Sequence, residues 1–226
     1  ELLKGSDCNF VRGCHYPQDQ RFLDLCDEAG LLVWEETLGW GNMEEQLEDE
    51  AFLDAQHRQA KDMLYNSINH PSIIMWGFLN EAKTILEITD NIFEDLFALF
   101  RERDPSRLVT YATNRGEKCR HFAKADIISI NIYPGWYGGD EEHSPLDAVE
   151  PRIDEFIQFM DENGLGNKPL IISEIGGGAL YGFRDPHRAH WSEEYQSDLL
   201  AEIIRVFKAN DKITGLALWQ FCDCRT

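Results

Sequence analysis

The hydrophobic pattern of this chain alternates short apolar runs with longer amphipathic segments, which predicts strands separated by helices. Two runs, at 73–79 and 169–173, are too continuously apolar for a strand with one solvated face. Runs of this kind are typical of strands covered on both sides. The first ends at Asn80-Glu81 and the second at Glu174, so a carboxylate is predicted at the end of each buried strand.

The pattern extends along the whole chain. Predicted strands cover 8–14, 31–34, 73–79, 108–111, 127–132, 170–173 and 213–219, and predicted helices cover 18–29, 43–68, 90–103, 151–162 and 192–209. Such alternation implies an α/β fold with a parallel sheet, which either stays open as a doubly wound sheet or closes as a (β/α)8 TIM barrel.

Two observations favour the barrel. No Gly-x-Gly-x-x-Gly follows the first strand, so the sequence lacks the motif that would best indicate a dinucleotide-binding sheet. Polar and aromatic residues recur at the carboxyl ends of many strands, where TIM barrels carry their active sites. Because seven strands are predicted, we expect a barrel whose first strand is missing, and residues 1–226 as a single catalytic barrel cut from a longer multidomain chain. The residues at the strand ends are His15, Glu35, Glu36, Asn80, Glu81, Asn131, Tyr133, Glu174 and Trp219.

Composition narrows the classes of function. Hydrophobic residues make up 43% of the 226, which excludes a disordered chain, and no apolar stretch approaches the roughly 20 residues of a membrane span. The formal net charge of −20 argues against nucleic acid as a partner, since phosphate contacts need clustered Lys and Arg. The histidines and cysteines show no convincing metal-ligand spacing, so we expect neither a metal nor a cofactor.

Two carboxyl groups at strand ends are the smallest set of catalytic groups that a glycosidase needs to cleave a glycosidic bond. A retaining glycosidase needs one carboxyl group as acid and then base, and a second as nucleophile, roughly 5–5.5 Å apart. We predict Glu81 as the acid/base and Glu174 as the nucleophile. Glu174 must stay ionised and therefore needs a hydrogen-bond donor, for which Tyr133 is the natural candidate. Either glutamate alone would more often be an ordinary ion-pair partner, so the prediction depends on the two together.

The predicted sugar contacts follow from residue type. The Asn80 amide can hold a sugar hydroxyl, and His15 either binds a hydroxyl or fixes its loop. The segment 131–137 is rich in rings and is expected to face the pocket with Asn131, Trp136 and Tyr137. Sugar rings stack their C–H faces on aromatic side chains, which makes Trp40 and Trp219 further candidates; packing is the alternative for each ring. The adjacent Glu35 and Glu36 should lie on opposite sides of their strand, so only one faces the pocket.

Several motifs, spread over nearly the whole chain, resemble the catalytic barrel of glycoside hydrolase family 2, and within it most closely the bacterial β-glucuronidases. The motifs are Phe10-Val11-Arg12, His15-Tyr16-Pro17, the segment 25–31, His70-Pro71-Ser72-Ile73, Asn80-Glu81, Ile172-Ser173-Glu174 and the segment 191–196. The resemblance implies that Glu81 is the acid/base and Glu174 the nucleophile. It also implies that Tyr133 hydrogen-bonds near the nucleophile and that Asn80, Tyr137 and Trp219 line the sugar site.

The sequence departs from the family pattern beside both glutamates. Ala82 stands where a proline is common, and Ile175 with three glycines follows Glu174 where glucuronidases often have Tyr-Gly. The Asn-x-Lys element that grips glucuronate in the family would lie beyond Thr226. Arg184, Arg188 and Arg225 are candidates for contact with a uronate.

We therefore predict a retaining β-glycosidase of β-glucuronidase type that acts on terminal β-glycosidic bonds of a carbohydrate or glucuronide conjugate. A β-galactosidase or another family 2 exo-β-glycosidase is the alternative, followed by a non-catalytic carbohydrate-binding barrel and a metal-dependent barrel hydrolase. We expect a cytoplasmic protein with no nucleic-acid or membrane partner, and homo-oligomerisation is left open.

Overall fold

The computed structural model describes residues 1–138 and 145–222. They fall into two compact units, Glu1–Ser129 and Ile130–Thr226, each of which alternates strands with helices. Among these residues no helix has the length and apolar character that a membrane crossing requires. Arg225, a candidate for uronate contact, lies outside the described residues.

The first unit has four parallel strands, β1 (Phe10–Gly13), β2 (Leu32–Glu36), β3 (Ile73–Gly77) and β4 (Leu108–Thr110), whose order in the sheet follows the chain. Glu35 lies level with Gly13, and Gly77 lies level with both Glu36 and Thr110, so the carboxyl ends of these strands meet at one edge. The elements in chain order are α1 (Leu2–Gly5), β1 (Phe10–Gly13), α2 (Gln20–Ala29), β2 (Leu32–Glu36), α3 (Glu44–Leu47), α4 (Glu50–Ser67), β3 (Ile73–Gly77), α5 (Thr89–Arg103), β4 (Leu108–Thr110), β5 (Ala112–Thr113) and the 3-10 helix Gly116–Lys118.

In the second unit, β7 (Leu170–Ile175) lies between β6 (Ile128–Asn131) and β8 (Ile213–Leu218) and runs parallel to β8. Ile175 pairs with Leu218, which brings the carboxyl ends of β7 and β8 to one level. The elements are β6 (Ile128–Asn131), which begins at the unit boundary, the 3-10 helix Pro145–Ala148, α6 (Val149–Glu162), β7 (Leu170–Ile175), α7 (Glu193–Ala209) and β8 (Ile213–Leu218).

The prediction of one long helix over 43–68 is wrong, because the structure divides this segment into α3 and α4. Asp49 has extended backbone angles, and its side chain accepts a hydrogen bond from the backbone N–H of Ala51. Asp favours the N-cap position because its carboxylate satisfies a free amide of the first turn. The spacing of apolar residues continues through Asp49, so periodicity alone did not predict that the helix would be interrupted there.

The two buried strands end differently. Leu79 has a φ of 48°, which ends β3 at Gly77 rather than at the predicted Leu79. β7 instead continues through Glu174 to Ile175, and all six of its residues are buried. Glu174 is therefore held inside a strand, whereas Glu81 lies in the turn that follows one.

Each unit has its own apolar core. In the first, Phe78 packs against Phe93, Phe97 and Phe100 of α5, with ring centroids 5.0–5.9 Å apart. In the second, α6 and α7 contribute fully buried residues: Val149, Ile153, Phe156, Met160, Leu199, Ile203 and Val206. These cores hold the strands whose ends carry the predicted site residues.

Candidate active site

Glu174 is held in place from β6. The backbone N–H of Ile132 donates to the carbonyl of Glu174 at 2.9 Å, and the next residue, Tyr133, donates its hydroxyl to Glu174 Oε2 at 2.7 Å. Only 5% of Glu174 is exposed. A hydrogen bond to a carboxylate favours its ionised form, which is the form that a nucleophile needs. The predicted contact between Tyr133 and Glu174 is thus present, and it arises from strand register.

The backbone behind Glu174 makes a close approach to β8. Trp219 donates its backbone N–H to the carbonyl of Ile175 at 2.9 Å. A Cβ on Gly176 would lie 2.5 Å from the carbonyl oxygen of Trp219, and Gly176 has a φ of 154°, which side chains rarely adopt. Glycine is therefore required for this approach. Trp219 itself is half-buried.

The structure gives Trp136 a packing role rather than an open sugar-stacking face. Only 8% of the residue is exposed, and its ring centroid lies 4.1 Å from that of His190 and 4.7 Å from that of Trp191. A Cβ on Gly177 would lie 2.6 Å from this ring. Trp136 therefore supports the glycine segment that follows Glu174, while its contact with a sugar stays a prediction.

Asn131 and Tyr137, predicted from the same segment, have different surroundings. Asn131 is 3% exposed, and its Oδ1 accepts a hydrogen bond from Ser173 Oγ at 2.7 Å, so this side chain joins β6 to β7. Tyr137 is 72% exposed and lies edge-on to Tyr133, with ring centroids 5.4 Å apart. Of the two, Tyr137 presents the free ring surface.

Glu81 lies in a tight turn at the end of β3. Leu79 and Glu81 both have positive φ angles, 48° and 55°, and the backbone N–H of Glu81 donates to the carbonyl of Ala112 at 2.9 Å. The left-handed conformation costs a non-glycine residue roughly 1 kcal/mol or more. Such strain is often found at functional sites, and here it turns Glu81 out of the line of the strand.

A buried charged network lies beside Asn80, and sequence reasoning missed it. Arg12 Nη2 donates to Asn80 Oδ1 at 2.7 Å and to Glu36 Oε2 at 3.1 Å, and His15 Nδ1 lies 3.0 Å from Glu36 Oε1. Arg12, Glu36 and Asn80 are each at most 7% exposed. Arg12 thereby fixes the orientation of the Asn80 amide. The sequence did contain a signal for this network: Arg12 lies within an apolar strand, and a buried arginine needs a carboxylate as its partner.

Glu35 and Glu36 lie on opposite sides of β2, as expected. Glu35 Oε1 accepts hydrogen bonds from the Gln18 backbone N–H and from Ser67 Oγ, whereas among the described residues Oε2 has no hydrogen-bond partner. Burial raises the pKa of the Glu35 carboxyl group, because the charged form loses hydration that these bonds do not replace. Glu36 is therefore the member of the pair that joins the network around Asn80.

Cys14, His15 and Glu36 offer potential metal-ligand atoms that lie within 4.8 Å of one another. Arg12 already balances the charge of the Glu36 carboxylate, so the group fits an ion-pair network better than a cation site.

Arg184 and Arg188, considered for uronate contact, are both paired with carboxylates of α7. Arg184 contacts Glu193 and Glu194 at 2.7 and 2.6 Å, and Arg188 contacts Asp198 at 2.5 Å. These ion pairs brace the segment between Glu174 and α7. A uronate would have to compete with them for either arginine.

Comparisons with known proteins agree with this architecture. Residues 1–226 match the family model described as glycosyl hydrolases family 2, TIM barrel domain. The β-glucuronidases of Sus scrofa and Paenibacillus borealis are each 30% identical over the whole chain, which spans 34% and 39% of their lengths. The chain thus covers little more than a third of these curated relatives.

Solved structures give the same result. A family 2 β-galacturonidase from Eisenbergiella tayi, bound to galacturonate, is 37% identical with a TM-score of 0.92, and the match covers 99% of this chain and 39% of that one. A β-glucuronidase from Ruminococcus gnavus in complex with D-glucaro 1,5-lactone is 29% identical with a TM-score of 0.88, and the match covers 99% of this chain and 38% of that one. The predicted α/β barrel class is confirmed. The chain belongs to family 2 of the glycosyl hydrolases and corresponds to its TIM barrel domain.

Proposed function

We propose that this chain is the catalytic part of a retaining β-glycosidase that releases terminal β-linked uronic acids, with β-glucuronides as its first substrate class. The observation that carries the proposal is the buried Glu174 carboxylate, which receives the Tyr133 hydroxyl at 2.7 Å at the end of β7. Relatives that are named β-glucuronidases support the choice of sugar.

In the proposed mechanism, Glu174 attacks the anomeric carbon while Glu81 protonates the departing oxygen. Glu81 then deprotonates the water that cleaves the glycosyl-enzyme bond. Tyr133 stabilises the charge of Glu174 before attack and when the carboxylate leaves again. Arg12 donates a hydrogen bond to the Asn80 amide oxygen, and in this proposal Asn80 binds a sugar hydroxyl beside the acid.

A β-galacturonide is the second candidate substrate, because the galacturonate-bound Eisenbergiella tayi structure is 37% identical to this chain. The two uronic acids differ only in the orientation of one hydroxyl group. Initial rates of the full-length enzyme on 4-nitrophenyl β-glucuronide, β-galacturonide and β-galactoside separate these possibilities. A preference for the galactoside would overturn the uronide proposal.

Two variants test the mechanism. Glu174→Ala should reduce turnover to below about a thousandth of the wild-type rate on every substrate, because the nucleophile is lost. Glu81→Gln should slow substrates with poor leaving groups far more than activated ones, which need less protonation. NMR detection of the α-anomer as the first product would contradict the retaining mechanism, as would substantial activity of Glu174→Ala.

A further inference from the structure

The turn that carries Glu81 is hydrogen-bonded to the segment 112–120, which begins with β5. The backbone N–H of Glu81 donates to the carbonyl of Ala112 at 2.9 Å, and the backbone N–H of Arg120 donates to the carbonyl of Thr84 at 3.1 Å. The two ends of the segment thus contact the turn at residue 81 and again three residues later. Residues 112–120 are therefore in a position to control how this turn is held.

The middle of the contact is a pair of buried hydroxyl groups. Thr84 Oγ1 and Thr113 Oγ1 lie 3.1 Å apart, and both residues are fully buried. Thr113 Oγ1 also accepts a hydrogen bond from the backbone N–H of Arg115 at 3.1 Å. Buried hydroxyl groups resist separation, because a hydroxyl that loses its partner there is not compensated by water. The backbone of Arg115 is therefore fixed relative to the turn.

The side chain of Arg115 completes the contact with Glu81. Its Nη2 donates to the carbonyl of Glu81 at 3.4 Å, so that both backbone polar groups of Glu81 are bonded to the segment 112–120. Glu81 has a φ of 55°, a left-handed conformation that is unfavourable for a residue with a side chain. Such a conformation persists only where the surrounding structure holds it. For Glu81, Ala112 and Arg115 supply that hold.

Arg115 does not occupy this position for the sake of stability. Its Nε is buried, and among the described residues it has no hydrogen-bond partner. A buried N–H group without a partner destabilises the folded state, since it has lost its hydrogen bonds to water. The contact with the Glu81 carbonyl is the one side-chain hydrogen bond that Arg115 makes within the described part of the chain. This contact is therefore the reason that the structure offers for an arginine here.

We propose that Arg115 is a positioning residue for Glu81: it holds the left-handed turn so that the carboxyl group stays directed at the glycosidic oxygen. The proposal rests on the acid role of Glu81 in the proposed function. A general acid is effective only within hydrogen-bond reach of the atom that it protonates, and small displacements lower the rate strongly. Arg115 acts through the backbone of Glu81 and needs no contact with the substrate.

The test compares two substrates that share one sugar and differ in their need for an acid. Phenyl β-glucuronide has a poor leaving group that must be protonated, whereas 2,4-dinitrophenyl β-glucuronide has an activated one. In the full-length enzyme, Arg115→Met should lower kcat/KM for the phenyl substrate about five- to tenfold, the size expected for one lost hydrogen bond. The activated substrate should change by less than about twofold. Arg115→Lys, which keeps a charged donor, should recover part of the loss.

The ratio of the two kcat/KM values separates positioning from folding. Both values come from one enzyme preparation, so a smaller folded fraction lowers them equally and leaves their ratio unchanged. The unfolding temperature of Arg115→Met should equal or exceed that of the wild type, because the variant removes a buried N–H group without a partner. Arg58→Met, an exposed position on α4, is the matched control and should change neither the ratio nor the unfolding temperature.

Glu81→Gln tells failure of the positioning role from failure of the proposed function. It should show the same preference for the activated substrate as Arg115→Met, and to a greater extent. If Glu81→Gln is selective while Arg115→Met slows both substrates equally or neither, the positioning role is overturned and the proposed function stands. If Glu81→Gln itself slows both substrates equally, the acid role fails and the role of Arg115 fails with it.

Discussion

At the residue scale, the bond between Tyr133 and Glu174 connects strand register with chemistry. The 2.9 Å backbone bond from Ile132 to Glu174 sets the level at which Tyr133 leaves β6, and the tyrosine hydroxyl then reaches the carboxylate. A hydrogen bond to a charged group contributes about 1.5–3 kcal/mol when its partner is buried. One phenolic oxygen should therefore have a measurable effect on the rate.

Tyr133→Phe should lower kcat about 10- to 100-fold, because the carboxylate loses a donor in its ionised form. The acidic limb of the pH–rate profile should also move to higher pH, which a purely structural defect would not cause. Steady-state kinetics across pH would measure both effects. Tyr65→Phe removes an exposed hydroxyl on α4 and serves as the control; a Tyr133→Phe profile that matches the wild type would contradict the role of this bond.

Sequence reasoning was most successful where two side chains follow the ends of neighbouring strands. The predicted contact between Tyr133 and Glu174 is of this kind. The network of Arg12, Glu36 and Asn80 is different, because an arginine in an apolar strand signals that it needs an acid but not which carboxylate supplies it. The burial of Trp136 was not predicted for a related reason: it depends on His190 and Trp191, more than fifty residues away.

At the element scale, the close approach of β7 and β8 depends on a position without a side chain. Gly176→Ala places a Cβ 2.5 Å from the Trp219 carbonyl oxygen, so one of the two strand ends must move. Because Glu174 is two residues away, we expect kcat to fall at least about tenfold while the fold survives. Kinetics together with circular dichroism would check this expectation.

Gly5→Ala is the control for this substitution, since a Cβ there meets nothing within 4 Å. An active Gly176→Ala enzyme would show that the strand ends tolerate displacement. Loss of the folded signal would instead show that the contact determines stability rather than catalysis.

The carboxyl end of α5 is fixed by Asp104. Burial alone would raise the pKa of this side chain, but hydrogen bonds from Ser106, Arg107 and Trp76 outweigh burial and lower the pKa to about 2. A carboxyl group with a lowered pKa stabilises the fold above its unfolded pKa of about 4, and this contribution is lost as the pH falls toward 2. Asp104 thus ties α5 to β3 through Trp76 at neutral pH.

Asp104→Asn should cost about 2 kcal/mol of unfolding free energy at pH 7, since the amide cannot keep the charge pair with Arg107. The difference from the wild type should shrink below pH 4, because the carboxyl group of the unfolded chain then gains a proton that the native carboxylate, with its pKa of about 2, does not yet bind. Urea unfolding at pH 7 and pH 3 would measure this, with the exposed Asp54→Asn as the control. A difference that does not depend on pH would contradict the electrostatic origin.

Elements of secondary structure were predictable as far as they depend on apolar periodicity. The strands at 73–77 and 170–175 and the helix at 89–103 lie close to the predicted positions. The break at Asp49 and the left-handed turn at Leu79 are decided by single backbone conformations, which periodicity does not record.

At the scale of the whole chain, the net charge of −20 would oppose the anionic substrate of the proposed function. Under that proposal a uronide approaches against the field of these residues, which salt screens: the Debye length falls from about 30 Å at 0.01 M to about 8 Å at 0.15 M ionic strength. Electrostatic repulsion that acts over this distance lowers the rate at which the substrate associates and has little effect on the bound complex.

We therefore expect kcat/KM for a β-glucuronide to rise about two- to fivefold between 0.01 and 0.15 M ionic strength, while kcat stays constant. A sodium chloride titration would measure this dependence. The double variant Glu44→Gln, Glu45→Gln, which removes two exposed charges from the first turn of α3, should weaken this dependence on salt. A fall of kcat/KM with salt would indicate that local positive charge dominates the approach.

The loop at residues 37–43, between β2 and α3, has a consequence for protein engineering. Its backbone is held by Gln56, Gln59 and backbone hydrogen bonds, while the side chains of Leu38, Trp40 and Met43 are each more than half exposed. The residues that hold this loop and the residues that cover its surface are thus encoded by different codons. We expect that the three surface codons can be randomised together with little loss of folded protein, so that the surface of the loop can be changed while Glu81 and Glu174 stay as they are.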